Sequence, residues 1–458
     1  MSLRVIFAIL SLGCLHISLL ADEPKYEPID AETVAAYEKL GGRYGGFSVV
    51  EFGNLKWTFR IAEEEAVKGL PGFYFGYAKE FPKLPPVKVP FGLQLAGPNL
   101  TDSGAKELRD LTNLTRLYLG GTKIGDSGMK ELNNLTNLST LYLSGTNVTD
   151  VGLKELKNLT KLTVLSLLET KVTDRGVSEL KALKNLQSLD LHGTLVTDEG
   201  LKEVAALENL TTLYLGHTRV TDEGLKELKK ISKLTNLDLW STKVTNEGLK
   251  ELINHKSLRF LGLSFTNVSN AGLQELKNIR YLDSLNLQYT KITDEGLLAL
   301  KNLDKLYWLH LGNTKVTDEG LKELKNLGTL KYLNLNATNF TDEGIKHLEC
   351  LGNLTHLDLG STKVTDEGIK QLVKHKNLTS LALCWTKLTD DGLRQLKGIK
   401  SLNTLDLDGT EITNECVQHL KEFKNLRSLN LENVDVGSEC EKEIQKALPK
   451  CRIVLSTR

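Results

Sequence analysis

From Thr122 to Thr410 a threonine stands at every twenty-fourth position, twelve intervals with no slip. Pro98 and Val434 occupy the same slot one interval beyond either end, so the period runs for about fifteen turns. A fixed period of this length restricts the chain to a solenoid, in which each unit touches mainly its neighbours and one continuous core replaces separate globular domains.

The stretch Leu303 to Asn326 shows how one unit folds. Its apolar positions are Leu303, Leu306, Leu309, Leu311, Val316, Leu321 and Leu324. Leu309 and Leu311 alternate around His310, the period of a short strand with one face inward, whereas Leu321 and Leu324 have helical spacing. Between them Thr317 is placed to cap a helix, Asp318 and Glu319 put negative charge in its first turn, and Asn326 is expected to close it in a left-handed conformation. The order is strand, turn, short helix, turn.

The tetrapeptide "TDEG" recurs verbatim from Thr197, Thr221, Thr293, Thr317, Thr341 and Thr365. A catalytic site has no use for six equal copies, so these residues read as scaffold. Calcium on the acid rows is disfavoured by the lysine that follows five of the six copies on the same helix, Leu298 taking its place after Thr293. One unit could not stand alone, because its seven buried side chains do not outweigh the backbone entropy of its residues. Stacking supplies the rest and pairs the strands into a parallel sheet. No proline interrupts Asn99 to Leu448, as a continuous ladder requires. Strands stack at about 4.8 Å and helices need about 8–10 Å, so the array is expected to curve with the sheet on the concave side.

The pattern "LxxLxLxxTxVTDEGLKELKN" resembles the leucine-rich repeat family, near the cysteine-containing type of F-box proteins and secreted bacterial repeat proteins. The resemblance covers the chain from about Phe91 to its end. It implies an α/β leucine-rich repeat solenoid, a curved horseshoe with a concave parallel sheet and convex short helices, and protein binding as the usual activity. The family has Asn or Cys where this chain has its threonine column, so hydroxyls are expected to form the buried ladder.

Outside the period, residues 1–21 read as an export signal: Arg4, an apolar run from Val5 to Leu20, then Ala21 before "DEPKY". The alternative is an uncleaved anchor. The expected destination is periplasmic, cell-surface or extracellular, with no membrane span after cleavage. Residues 22–90 are expected to form an N-terminal α/β cap, with "IDAETVAAYEKLGG" a helix, "FSVVEF" and "KWTFRIA" strands, and "LPGFYFGYAKEFP" an aromatic connection. Residues 91–436 form the array, and 437–458 a capping helix and strand.

The chain carries 58 basic against 58 acidic side chains. Zero net charge removes the attraction that nucleic-acid and anionic-membrane binders rely on, so neither partner is expected. No nucleophile with a base, no phosphate loop and no metal-ligand spacing is present, so the sequence calls for no enzyme, cofactor or metal. What varies between coils is more informative. Four slots, six, four, two and one residue before each lattice threonine, should face the concavity. In the middle coils they hold Trp240, Phe260, Phe265, Tyr289, Trp308, His310 and Tyr332, a candidate binding surface centred on Trp308. Asp238, Asp358 and Asp406 flank it and favour a ligand of some basic character. Cys416 and Cys440 both replace the helix glycine in adjacent coils. They are candidates for a disulfide, with two buried thiols as the alternative. The function this supports is an exported protein- or peptide-binding scaffold. The alternatives are a structural cell-envelope protein and, by analogy of fold, an F-box-like substrate receptor of a ubiquitin ligase.

Overall fold

The computed structural model describes residues 26–49, 57–61, 69–76, 82–97 and 99–455. The expected signal, 1–21, lies outside them. The chain divides into two compact units, one ending at Val244 and the other beginning at Thr245.

Each coil is built as the sequence pattern requires. Trp308–His310 is a strand, and the seven apolar positions from Leu303 to Leu324 are each 1% exposed or less. The chain then turns over Leu311 to Thr314. Thr314 donates both its N–H (3.3 Å) and its hydroxyl (2.6 Å) to the Leu311 carbonyl. The same hydroxyl bond to the carbonyl three residues back recurs from Thr122 to Thr410. The lattice threonine therefore closes a turn within its own coil. It does not form the ladder between coils expected from the family's asparagine, because its short side chain reaches only that carbonyl.

Asp318–Leu321 is one helical turn, capped by the Thr317 hydroxyl, and Lys322–Asn326 continues it as a 3-10 helix. Asn326 is not left-handed. Leu327 turns the chain out at φ −87°, ψ 54°, with its N–H on the Leu324 carbonyl (2.9 Å), and a tight 3-10 turn needs no left-handed cap.

The acid of "TDEG" does more than oppose the helix dipole. Asp318 accepts from the backbone N–H (2.9 Å) and hydroxyl (2.6 Å) of Thr341 in the next coil. The same two bonds join Asp126 to Thr149, Asp198 to Thr221 and Asp366 to Thr389. The glycine is required for the same reason. A Cβ on Gly224 would lie 2.5 Å from Asp198 Oδ1, so the aspartate of one coil occupies the space above the glycine of the next. The glutamate forms an exposed pair with lysine three residues on, as in Glu223–Lys226. Where asparagine replaces the aspartate, the backbone N–H bond stays, Thr293 N–H on Asn270 Oδ1 at 3.0 Å, but the hydroxyl bond reverses. Asn270 Nδ2 donates to the Thr293 hydroxyl (2.8 Å), and Thr293 no longer caps its helix.

In the unit ending at Val244, the helix Ala31–Lys39 is capped by Asp30 and buries Tyr37, whose ring stacks on Phe73 at 3.9 Å. Arg43–Val49 pairs antiparallel with both Trp57–Ile61 and Leu70–Phe75. Leu70–Phe75 was expected as a connection but is a strand, and it runs parallel to Phe91–Leu95. Pro71 and Gly72 weaken its strand signal. Gly72 is there because its Cβ would collide with the backbone of Gly92 and the ring of Phe47. From Phe91–Leu95 the strands continue in parallel to Asn236–Asp238. In the unit beginning at Thr245, parallel strands run from Phe260–Gly262 to Ser428–Leu431. The helix Ser438–Ala447 then leads to Arg452–Leu455, which pairs with Ser428–Leu431.

Candidate sheet-face binding surface

The four slots expected to face solvent do not behave alike. Side chains six and four residues before the threonine stand on parallel strands at about 4.8 Å spacing, so each ring is flanked by the equivalent residue of both neighbours. Trp308 retains 8% of its surface, Phe260 6% and His310 5%. Trp308 meets the His310 ring edge-on at 5.6 Å, and Tyr332 stacks on His356 at 3.9 Å. Burial lowers the imidazoles of His310 and His356 to about 4, so both are neutral at pH 7. Trp308 is thus covered rather than the centre of an open surface. In the other unit, Trp240 is half-buried and tilted against His217 at 5.6 Å.

The residue one before the threonine is different. It is the third residue of the turn and lies in the left-handed region in coil after coil: Phe265 at φ 57°, Tyr289 at 55°, Asn313 at 55°, Trp385 at 55°. Such a turn favours glycine or asparagine, and a larger side chain costs about 1 kcal/mol there. The unit ending at Val244 holds glycine at Gly97, Gly121, Gly145 and Gly193. The unit beginning at Thr245 instead places three aromatic residues in this column, and they project past the sheet. Phe265 is 46% exposed and Tyr289 37%, their rings stacked at 4.1 Å, and Trp385 is 57% exposed. The sequence carried a signal for this column, three aromatic residues where the other coils hold glycine, asparagine, serine, alanine, glutamate or histidine.

A second polar network lies in the first unit. His192 bonds Asp190 (2.9 Å) and Asp238 (3.1 Å), and Ser166 donates to Asp190 (2.9 Å). Burial opposes charge on the imidazole, but the two carboxylates override it and raise His192 to about 10. Asp238 is therefore occupied by an internal cation rather than free for a ligand.

Cys416 and Cys440 are unbonded, with sulfurs 3.9 Å apart and both buried. Cys416 fills the glycine slot, and its coil shows the consequence: Thr413 N–H lies 3.1 Å and 3.4 Å from the two Asp390 oxygens, and the helix starts only at Cys416. Among the described residues no group of three or more His, Cys, Asp or Glu is placed to hold a metal, and no helix is long and apolar enough to cross a membrane.

Comparison with known families matches residues 110–132, 134–157, 206–229, 278–301, 328–348 and 353–373 to the leucine-rich repeat. The chain is a leucine-rich repeat protein. Its solved relatives agree with that fold. An internalin of Listeria monocytogenes is 28% identical over 66% of this chain and 82% of its own, with a TM-score of 0.52. A leucine-rich repeat protein of Leptospira interrogans is 27% identical over 76% and 91%, with a TM-score of 0.50. TLR13, in its ssRNA13 complex, shares the fold at 21% identity over 80% and 59%, with a TM-score of 0.54. A search of curated proteins gave no match. Leucine-rich repeat proteins are in general protein-binding scaffolds.

Proposed function

We propose that this leucine-rich repeat protein is an exported, non-catalytic scaffold that holds a protein or peptide segment against the sheet face of the unit 245–458. The supporting observation is the placement of Phe265, Tyr289 and Trp385. The turn favours glycine at each position, yet the chain carries a large exposed ring in a left-handed conformation. Backbone geometry gains nothing from that choice, and the stack of Phe265 on Tyr289 and the bond of Trp385 to Asp408 still leave all three rings exposed. Exposed aromatic rings on a fixed sheet lose little entropy on contact, which suits them to anchor a partner. The apolar run at Val5 to Leu20 supports export.

The test is a random peptide display library panned on the full mature protein and on the triple variant Phe265→Gly, Tyr289→Gly, Trp385→Gly. Glycine suits the left-handed turn, so the variant should keep its melting temperature. Peptides retained by the parent and lost by the variant are the expected result. Equal retention by both proteins, or by neither, would refute the reading.

A further inference from the structure

Charge is segregated on the same face. The eight coils from Phe260 to Asn433 offer four face slots each, 32 in all, and none holds lysine or arginine. At the chain's overall frequency, 58 of 458, about four would be expected. The slots do hold Asp358, Asp406, Asp408 and Glu432, all in the last coils. Cations lie at the margins, in the lysine column one residue past the lattice threonine, at Arg259, Lys331 and Arg427 one residue before the first slot, and at Arg452 of the closing strand, in register with Ser428.

The fold does not need these charges. Asp358 Oδ1 accepts the N–H of Gly360 (2.9 Å) and Asp406 Oδ1 that of Asp408 (3.1 Å). Asn334 and Asn430, in the same column, hold the N–H groups of Asn336 (2.9 Å) and Glu432 (3.1 Å) while neutral. Burial raises the carboxyls of Asp358 and Asp406, and each has a further acid adding to the effect. The Cys384 thiol, facing Asp358, Asp406 and Asp408, is pushed up to about 12, chiefly by burial.

Between the acids stands a small side chain. Ala382 pairs in register with Asp358 on one side and Asp406 on the other, so its methyl group leaves a gap between carboxylates two strands, about 10 Å, apart. Trp385 stands beside it, with its indole N–H on Asp408 (3.1 Å). On its other side Asp358 accepts from Asn334 Nδ2 (2.7 Å), which fixes that carboxylate in place.

We propose that this end of the face, between Asp358 and Asp406 and beside Trp385, takes the guanidinium of an arginine carried by the bound protein or peptide segment. Arginine fits better than lysine, since a planar fork can bond carboxylates on two sides and stack on an indole. The inference rests on the binding function proposed above and names the chemistry its ligand must carry.

The experiment measures fluorescence anisotropy of labelled arginine–serine repeat peptides on the full mature chain at physiological salt, with lysine and citrulline peptides alongside. Citrulline keeps the shape and removes the charge. The arginine peptide should bind about tenfold more tightly than either, and Asp358→Asn with Asp406→Asn should abolish that preference, on the scale of one hydrogen bond to a charged group. The double variant keeps both turn bonds through Oδ1 and gives up only the Asp358 oxygen that accepts Asn334, so it should fold with at most a small drop in melting temperature. Equal binding of the arginine and citrulline peptides, or an unchanged preference in the double variant, would overturn the proposal. Equal binding of lysine would overturn the guanidinium assignment. Peptides from the display experiment that bind through the aromatic column without arginine would sink this inference and leave the binding function intact.

Discussion

Replacing Gly224 by alanine tests the interlock between coils, because two physical rules give opposite signs. In an ordinary helix the change stabilises by about 0.5–1 kcal/mol, since alanine loses less backbone entropy on folding. Here the new methyl would lie 2.5 Å from Asp198 Oδ1, 3.2 Å from its Cγ and 3.0 Å from Leu201 Cδ1. Something must move, and the group least fixed by the core is the Asp198 carboxylate. It holds Thr221 by two bonds, 2.8 Å to the N–H and 2.7 Å to the hydroxyl. Hydrogen bonds to charged groups are worth about 1.5–3 kcal/mol each, so weakening the pair outweighs the propensity gain. A net loss of about 1–3 kcal/mol is expected, concentrated between neighbouring coils because a solenoid's stability is a sum of nearest-neighbour terms.

Urea unfolding of the full chain reads the loss, and amide exchange should show faster opening at Thr221. The control is Asp198→Ala, which removes the oxygen that the methyl would strike. On that background Gly224→Ala should cost nothing or stabilise slightly, so the double-mutant cycle should show coupling of about 1–3 kcal/mol. A single variant as stable as the parent, or additive effects in the cycle, would refute the account of why "TDEG" ends in glycine.

Trp308→Ala should destabilise by about 3 kcal/mol, the range for truncating a covered aromatic residue, whereas Trp385→Gly should not destabilise. Unchanged unfolding of the Trp308 variant would show that ring to be solvent-facing after all. His192, raised from 6.5 to about 10 by Asp190 and Asp238, contributes stability that is fully present below pH 6.5 and lost as pH rises through 10. The difference in melting temperature between the parent and His192→Gln should therefore shrink from pH 7 toward pH 10, and a constant difference would contradict the caged imidazolium. Non-reducing peptide mapping should find Cys416 and Cys440 as free thiols, and a cross-linked peptide would restore the candidate disulfide. Mass analysis of the native protein should place its N-terminus near Asp22, and intact Met1 on a cytosolic protein would exclude export.

The coil was legible because its constraints repeat: seven apolar positions, the threonine slot and the capping "TDEG" recur until only one fold satisfies them all. The role of Asp318 was not legible, because its partner Thr341 lies 23 residues on in the next coil. Pattern reasoning within one helix finds only the dipole. The strand Leu70–Phe75 was obscured by Pro71 and Gly72, whose reason is contact with Gly92 and Phe47. On the face, the sequence placed side chains on the correct side of the strand but could not weigh how far neighbours at strand spacing would cover them. Hence Trp308 and Phe265 read as equivalent and are not.

The covered and projecting columns divide the work of a single turn. A residue six or four before the threonine is flanked by its equivalents, buried at Phe260, Trp308 and His310 and half-buried at Tyr332, Asp358 and Asp406, so an aromatic ring there has a packing role and says little about function. A residue one before it sits where the backbone bends into the left-handed region, so the fold favours glycine and any ring is a departure. Phe265, Tyr289 and Trp385 make that departure at about 1 kcal/mol each, within the unit whose face also excludes lysine and arginine. Three strained rings and four acids on a surface that needs neither are difficult to attribute to folding, and a partner with an apolar segment and a positive charge accounts for both.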